Sequence, residues 1–267
     1  MQETWTTIAR GPDTLDECRG GSRGVNCGYN AGWTDPGDWV MRVNGQGRTS
    51  LITYPGNGRI PARVSGADAG RARIVQSSEA DTTRGEADNP EDRSLGERCI
   101  MSFTGGAGPV MNNGMYNNTY QIVQVPGHVM ILTEMIHDVR VIPIGVRGEI
   151  KHGPREIPKW GGDSIGWYEG NTLVVETVNS HPKQRSFISP QGKVTERYTR
   201  WADGEIFYEF RVEDPVLYKD AWTGEMSLRG SEQPVYEYAC HEGNHALPGI
   251  LAGARQLERE GRPHPPE

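Results

Sequence analysis

The stretch Tyr238 to Gly249, YACHEGNHALPG, contains His241-Glu242-Gly243-Asn244-His245, the H-E-x-x-H spacing of zinc-dependent hydrolases. That chemistry needs a continuous helix, because only a helical turn puts two imidazoles on one face while the glutamate reaches metal-bound water. Gly243 and Asn244 are poor helix formers inside the motif, and Pro248 suits the first position of a helix that starts later. We therefore expect His241 to end a strand, Val235 to Cys240, and a helix to begin near Pro248. A looser metal site joining His241 to His137 or Glu134 stays open, although the favoured reading involves no metal and no cofactor.

A second group of chemically able residues lies between Val129 and Ile142. Read as one strand, period-two alternation puts Met130, Leu132, Glu134, Ile136, Asp138, Arg140 and Ile142 on one face, and His137 on the other. Apolar surroundings would raise a carboxylate's pKa and a neighbouring arginine would oppose the rise, so a poised acid or base results only where burial wins. For Asp138 and Arg140 a structural cross-strand ion pair is an equal alternative. Tyr120, Trp167, Tyr198, Tyr208, Phe210 and Tyr236 could wall an apolar pocket or simply pack between strands. Ser164 sits outside any G-x-S-x-G elbow, and Gly105-Gly106-Ala107-Gly108 runs into Pro109, so serine hydrolysis and nucleotide cofactors are disfavoured.

The elements that must position these residues are mostly strands. Thr119–Val125 and Val129–Ile142 flank Pro126-Gly127-His128; Ser164–Trp167 and Thr172–Val178 flank a turn at Tyr168–Asn171; Lys193–Trp201 and Glu205–Val212 flank Ala202-Asp203-Gly204. Successive hairpins predict an all-β antiparallel meander closing into a barrel. We expect a single domain over 1–267: an irregular wrapping segment at 1–115, the main strands at 116–246 and a helix at 248–260. Residues 79–93 are strongly charged and read as a solvent-facing loop that can end in a short helix.

With 267 residues, 35 Gly and 18 Pro, the chain suits many short strands rather than a helical bundle. A formal charge of −7 argues against nucleic acid, and no apolar run is long enough for a transmembrane helix. Cys18, Cys27, Cys99 and Cys240 lack C-x-x-C spacing and fit two disulfides, Cys18 with Cys27 and Cys99 with Cys240, as well as four buried thiols. Met1 before the polar Gln2-Glu3-Thr4-Trp5 reads as a mature exported chain with a new initiator, so a periplasmic or secreted location, its signal peptide removed, is expected.

WGGDSIGWYEGNTLVVETVN (Trp160 to Asn179), ILTEMIHDVRVIPI (Ile131 to Ile144), VEDPVLYKDAW (Val212 to Trp222) and YEYACHEGN (Tyr236 to Asn244) resemble a group of exported bacterial proteins. GRTSLITYPGNGRIPA (Gly47 to Ala62) and RSLGERCI (Arg93 to Ile100) extend the resemblance along nearly the whole chain. It implies a calycin- or lipocalin-like barrel and says little about chemistry. The chain departs from the group at Trp167, Tyr168 and Asn171, and at His245, where the group carries an aromatic residue. A metal site using His245 would therefore not be general to the group.

Three functions follow as expectations. The first is an exported enzyme doing cofactor-independent acid–base chemistry on an apolar, aromatic or terpenoid-like molecule. In it Glu134 or His137 removes a proton, His241 with Glu242 donates or relays one, and Arg140 or a tyrosine stabilises negative charge. The second is a non-catalytic carrier of hydrophobic ligands, and the third a metal-dependent hydrolase or oxidase using His241. The expected partner is a small molecule, with the oligomeric state left open.

Overall fold

The computed structural model of the chain describes residues 2–6, 40–64, 87–102, 108–111, 118–184, 188–232 and 234–262. Cys18 and Cys27, and with them their expected pairing, lie outside the described residues.

Five strands follow one another as a meander: β8 (Asp163–Glu169), β9 (Thr172–Val178), β10 (Lys193–Ala202), β11 (Glu205–Glu213) and β12 (Trp222–Gly230). A second meander comprises β5 (Thr119–Val125), β6 (His128–Thr133) and β7 (Val139–Pro143). β1 (Gln2–Thr6) joins them by pairing with β5 on one edge and with β12 on the other. β4 (Ile52–Tyr54) takes the part of the β12 edge that β1 does not reach, while β2 (Arg42–Val43) and β3 (Gln46–Gly47) form a separate small ribbon.

The nine main strands run in the order β7-β6-β5-β1-β12-β11-β10-β9-β8, every neighbouring pair antiparallel. Alternating directions cannot close around an odd number of strands, so the two ends must meet in parallel. They do: Ile144, just after β7, bridges Gly166 of β8 in parallel sense, and the Gly145 N–H donates to the Gly166 carbonyl at 3.0 Å. Gly166 suits this close seam, because a Cβ there would lie 2.8 Å from Ile144 Cδ1 and 3.2 Å from the Val174 carbonyl oxygen, so neighbours would have to shift. The result is a nearly closed barrel, the all-β antiparallel architecture expected from the hairpins.

Alternation then decides what enters the barrel. Val194, Glu196 and Tyr198 of β10 point in, as do Ile206, Tyr208, Phe210 and Val212 of β11 and Trp222, Met226 and Leu228 of β12; all are buried. Asp203-Gly204, the two residues between β10 and β11, is a favoured hairpin turn, so local chemistry sets this register.

Several expectations are corrected. Val129 to Ile142 is not one strand: β6 ends at Thr133, a 3-10 turn spans Met135–His137, and β7 returns antiparallel. Ile136 and His137 adopt φ of 60° and 42°, a left-handed conformation costly for β-branched Ile136, which is held there by packing against Cys99, Met135, Tyr238 and Cys240. Val235 to Cys240 is not a strand; Cys240–Gly243 forms one short helical turn, α1, while the expected C-terminal helix, α2, is present at Ala246–Arg259. The first 115 residues do more than wrap: they supply β1 and β4 and send Val110 and Met111 into the barrel core.

Cys99 and Cys240 form a disulfide with Cα atoms 5.8 Å apart across 141 residues, as the sequence suggested. By the chain-entropy account a loop of that length stabilises by about 5 kcal/mol. The bond ties the tail to the segment before the barrel core. Asn244 Nδ2 adds a hydrogen bond to the Glu97 carbonyl at 2.6 Å, and Arg255 adds others to the carbonyls of Asp88 and Ala87.

Candidate functional site

The charged centre of the molecule is inside the barrel. Glu196 enters from β10, where its cross-strand partners are Val175 and Phe210, and it has no solvent exposure. Arg140 enters from β7 across the lumen and pairs with it: Nη2 meets Oε2, and Nη1 donates to Oε1 at 3.1 Å. The same Oε1 accepts the hydroxyls of Tyr208 at 2.7 Å and Tyr198 at 2.9 Å. Arg140 Nη2 also approaches Thr177 Oγ1 at 3.4 Å, and that hydroxyl is 2.7 Å from Ser164 Oγ.

Taking two opposite charges out of water is costly, and the cost is met only when the remaining donors and acceptors are also satisfied. Burial works against the charged Arg140, but the Glu196 carboxylate outweighs it and holds the guanidinium above its ordinary pKa. The phenols of Tyr198 and Tyr208 are pushed well up by burial and by Glu196, so both remain donors. Segment 108–111 lies against this group. The Met111 N–H donates to the Tyr208 hydroxyl at 3.1 Å, and a Cβ at Gly108 would lie 2.9 Å from Arg140 Nη1.

Among the described residues, two buried donors in the same region have no hydrogen-bond partner, Tyr120 Oη and Arg140 Nε. Tyr120 is fully buried, and its pKa is raised by burial first and by Glu196 second, with Arg140 opposing. An unpaired buried donor of this kind costs about 1–3 kcal/mol.

The residues singled out from the sequence fall in several separate places. Arg140, Tyr120, Tyr198, Tyr208 and Phe210 share the lumen. Glu134, His137 and Asp138 belong to the turn at the barrel rim, so Glu134 and Asp138 do not share a strand face with Arg140, and Arg140 pairs with Glu196 rather than with Asp138. His137 is exposed, its Nδ1 lying 3.3 Å from the Tyr238 carbonyl. Asp138 is half-buried; burial pushes its carboxyl up to about 6, against the Ser102 N–H and His137.

His241 and Glu242 are exposed on α1, which ends at Asn244, so His241 and His245 do not share a helix face. Among the described residues no three His, Cys, Asp or Glu side chains are grouped to hold a metal ion. Trp167 is buried on the outer face of the sheet with Ile165 and Val174, and Tyr236 is exposed; neither walls the lumen.

Glu196 escaped the sequence reading, although the signal was present. On β10 it alternates with Val194 and Tyr198, whereas Lys193, Thr195, Arg197 and Thr199 take the other face. A carboxylate on the apolar phase of a strand is marked for burial and demands a cation. Met111 had no such local signal, because only the folded chain brings it to Tyr208. A scan against known protein families, a search of characterised proteins and a search of solved structures each gave no match for this chain.

Proposed function

We propose that the barrel binds a small, mostly apolar molecule bearing one hydrogen-bond-accepting oxygen, and that it belongs to the exported, calycin-like group its motifs resemble. The observation that carries this reading is the pair of donors without a partner among the described residues, Tyr120 Oη and Arg140 Nε, buried beside a neutralised ion pair in a largely aromatic and aliphatic lumen. Ligand sites of this type are largely apolar, with a few polar groups that fix orientation. Binding displaces Val110 and Met111, which occupy the lumen beside Tyr198 and Tyr208. The disulfide fits a life outside the reducing cytoplasm.

Calorimetric titration with camphor and acetophenone, against camphane and ethylbenzene, tests the reading. The carbonyl compounds should bind saturably, the hydrocarbons should bind more weakly, and Tyr120→Phe should remove most of that difference, about tenfold for one hydrogen bond. Equal affinity for ketone and hydrocarbon, or an unchanged Tyr120→Phe variant, refutes it.

A second reading, acid–base catalysis, rests on Asp138. At the barrel rim this carboxyl accepts the Ser102 N–H at 3.3 Å, and burial raises its pKa to about 6, within the range useful for proton exchange near neutrality. In this reading the bound ketone is enolised, and exchange of its α-hydrogens for deuterium follows a pH profile with an apparent pKa near 6 that Asp138→Asn abolishes. Ketone that binds but shows no exchange above the buffer rate leaves the carrier reading alone.

A further inference from the structure

The other face of the same strands carries a different arrangement. After the seam, Arg147 to His152 turn back over the outside of β8, β9 and β10. Register places Trp167, Val174 and Arg197 in one cross-strand row and Ile165, Glu176 and Thr195 in the next. Between turn and sheet lies a cleft of about 480 Å³, within the range of small-molecule sites. Its floor is Ile165, Trp167 and Val174, against which Ile150 packs.

The rim is rich in cations on a chain whose formal charge is −7: Arg147, Lys151, Lys193 and Arg197 line the cleft together with the carboxylates Glu169 and Glu176. Glu169 is shared by Arg147 at 3.1 Å, Arg197 at 2.9 Å and the Trp167 indole N–H at 3.0 Å. Glu176 is shared by His152 at 3.2 Å and Lys193 at 3.6 Å, and Lys193 also reaches Glu213 at 3.4 Å. His152 turns its other ring nitrogen to Asp163 at 2.9 Å. Lys151 differs: its ammonium bonds to the Gly148 carbonyl, a neutral acceptor, and forms no ion pair among the described residues.

We propose that this outer cleft binds a small aromatic monocarboxylate. The apolar floor takes the ring system, and the Arg147 guanidinium, 5.6 Å above the Trp167 ring, flanks it. The carboxylate neutralises Lys151, the rim cation without an ion pair among the described residues, with Lys193 and Arg197 lining the same cleft. A single unmatched cation selects a single negative charge. The site is separate from the lumen and does not depend on the function proposed for it.

Titration calorimetry with 2-naphthoate, with 2-naphthalenemethanol as the uncharged comparison, tests the assignment. Naphthoate should bind one to one, the alcohol should not compete, and ~0.5 M NaCl should weaken binding severalfold, since the rim is open to solvent. Lys151→Gln, at an exposed turn position that leaves the fold intact by circular dichroism, should weaken naphthoate about tenfold or more, the loss of one charge-assisted contact. Absence of saturable naphthoate binding overturns the assignment. So does undiminished binding to Lys151→Gln, or displacement of naphthoate by camphor, which would place it in the lumen.

Discussion

Glu196 and Arg197 are adjacent in the chain, yet they occupy opposite sides of one sheet. Glu196 is sealed in the lumen with Arg140, Tyr198 and Tyr208, while Arg197 stands half-exposed over Glu169 on the outer wall. The charge chemistry is the same in both, an arginine against a glutamate. What differs is the solvent: inside, every unmet donor or acceptor carries its full desolvation cost, whereas outside water substitutes for a missing partner. The inner network is therefore fixed and nearly saturated, and the outer one is adjustable, with a cation to spare.

The sharpest test of this contrast is removal of one inner partner. Arg140→Ala or Glu196→Ala should each cost about 3–5 kcal/mol in denaturant unfolding, because the remaining charge stays buried. Replacing both by apolar residues of similar volume should cost clearly less than either single change. A double replacement as damaging as the singles would mean that the pair itself, not the orphaned charge, matters.

Tyr208→Phe comes next. It removes a donor from Glu196 and an acceptor from the Met111 N–H, and should cost about 1.5–3 kcal/mol by the same measurement.

pH separates the rim from the outer wall more finely. Asp138, raised to about 6 from an ordinary 3.8, contributes stability that is complete below about 4 and is lost as pH rises through about 6. Burial alone would also raise Asp163, but Lys159, the Gly153 N–H and His152 outweigh it and pull its pKa down. Its contribution is therefore present above the ordinary carboxylate range and is lost as pH falls through the lowered value. Unfolding midpoints for Asp138→Asn should flatten between pH 4 and 7, and those for Asp163→Asn should flatten below pH 4; the reverse pattern would contradict both environments.

The smallest effect belongs to Arg197→Gln, expected to cost about 0–1 kcal/mol and to shrink further in high salt. A loss as large as that at Arg140 would erase the distinction between the two faces.

These faces were unequally legible. β5 and β9 have the bounds their alternating residues imply, and the Asp203-Gly204 hairpin forms where its turn chemistry places it. The apolar run through Glu134 to His137 misled, because nothing local announces that a β-branched Ile136 will accept a positive φ; tertiary packing around the disulfide holds it there. β12 was missed because Gly224 and polar residues dilute its pattern, and Gly224 is explained only by the Phe210 ring lying across it. His241-Glu242 attracted notice through motif spacing alone, which carries chemistry only on a continuous helix, and here the helix breaks at Asn244.

Local chain chemistry by itself determined the main hairpins, such as β8–β9 and β10–β11, and the side of the sheet on which their side chains fall, because two-residue periodicity and turn preferences act within a few residues. The folded molecule alone decided that Arg140 meets a carboxylate 56 positions away, that an odd number of strands closes through a parallel seam, and that Lys151 ends without an ionic partner among the described residues. Those outcomes depend on which walls face each other across a lumen or a cleft, and distance through space is not written in distance along the chain.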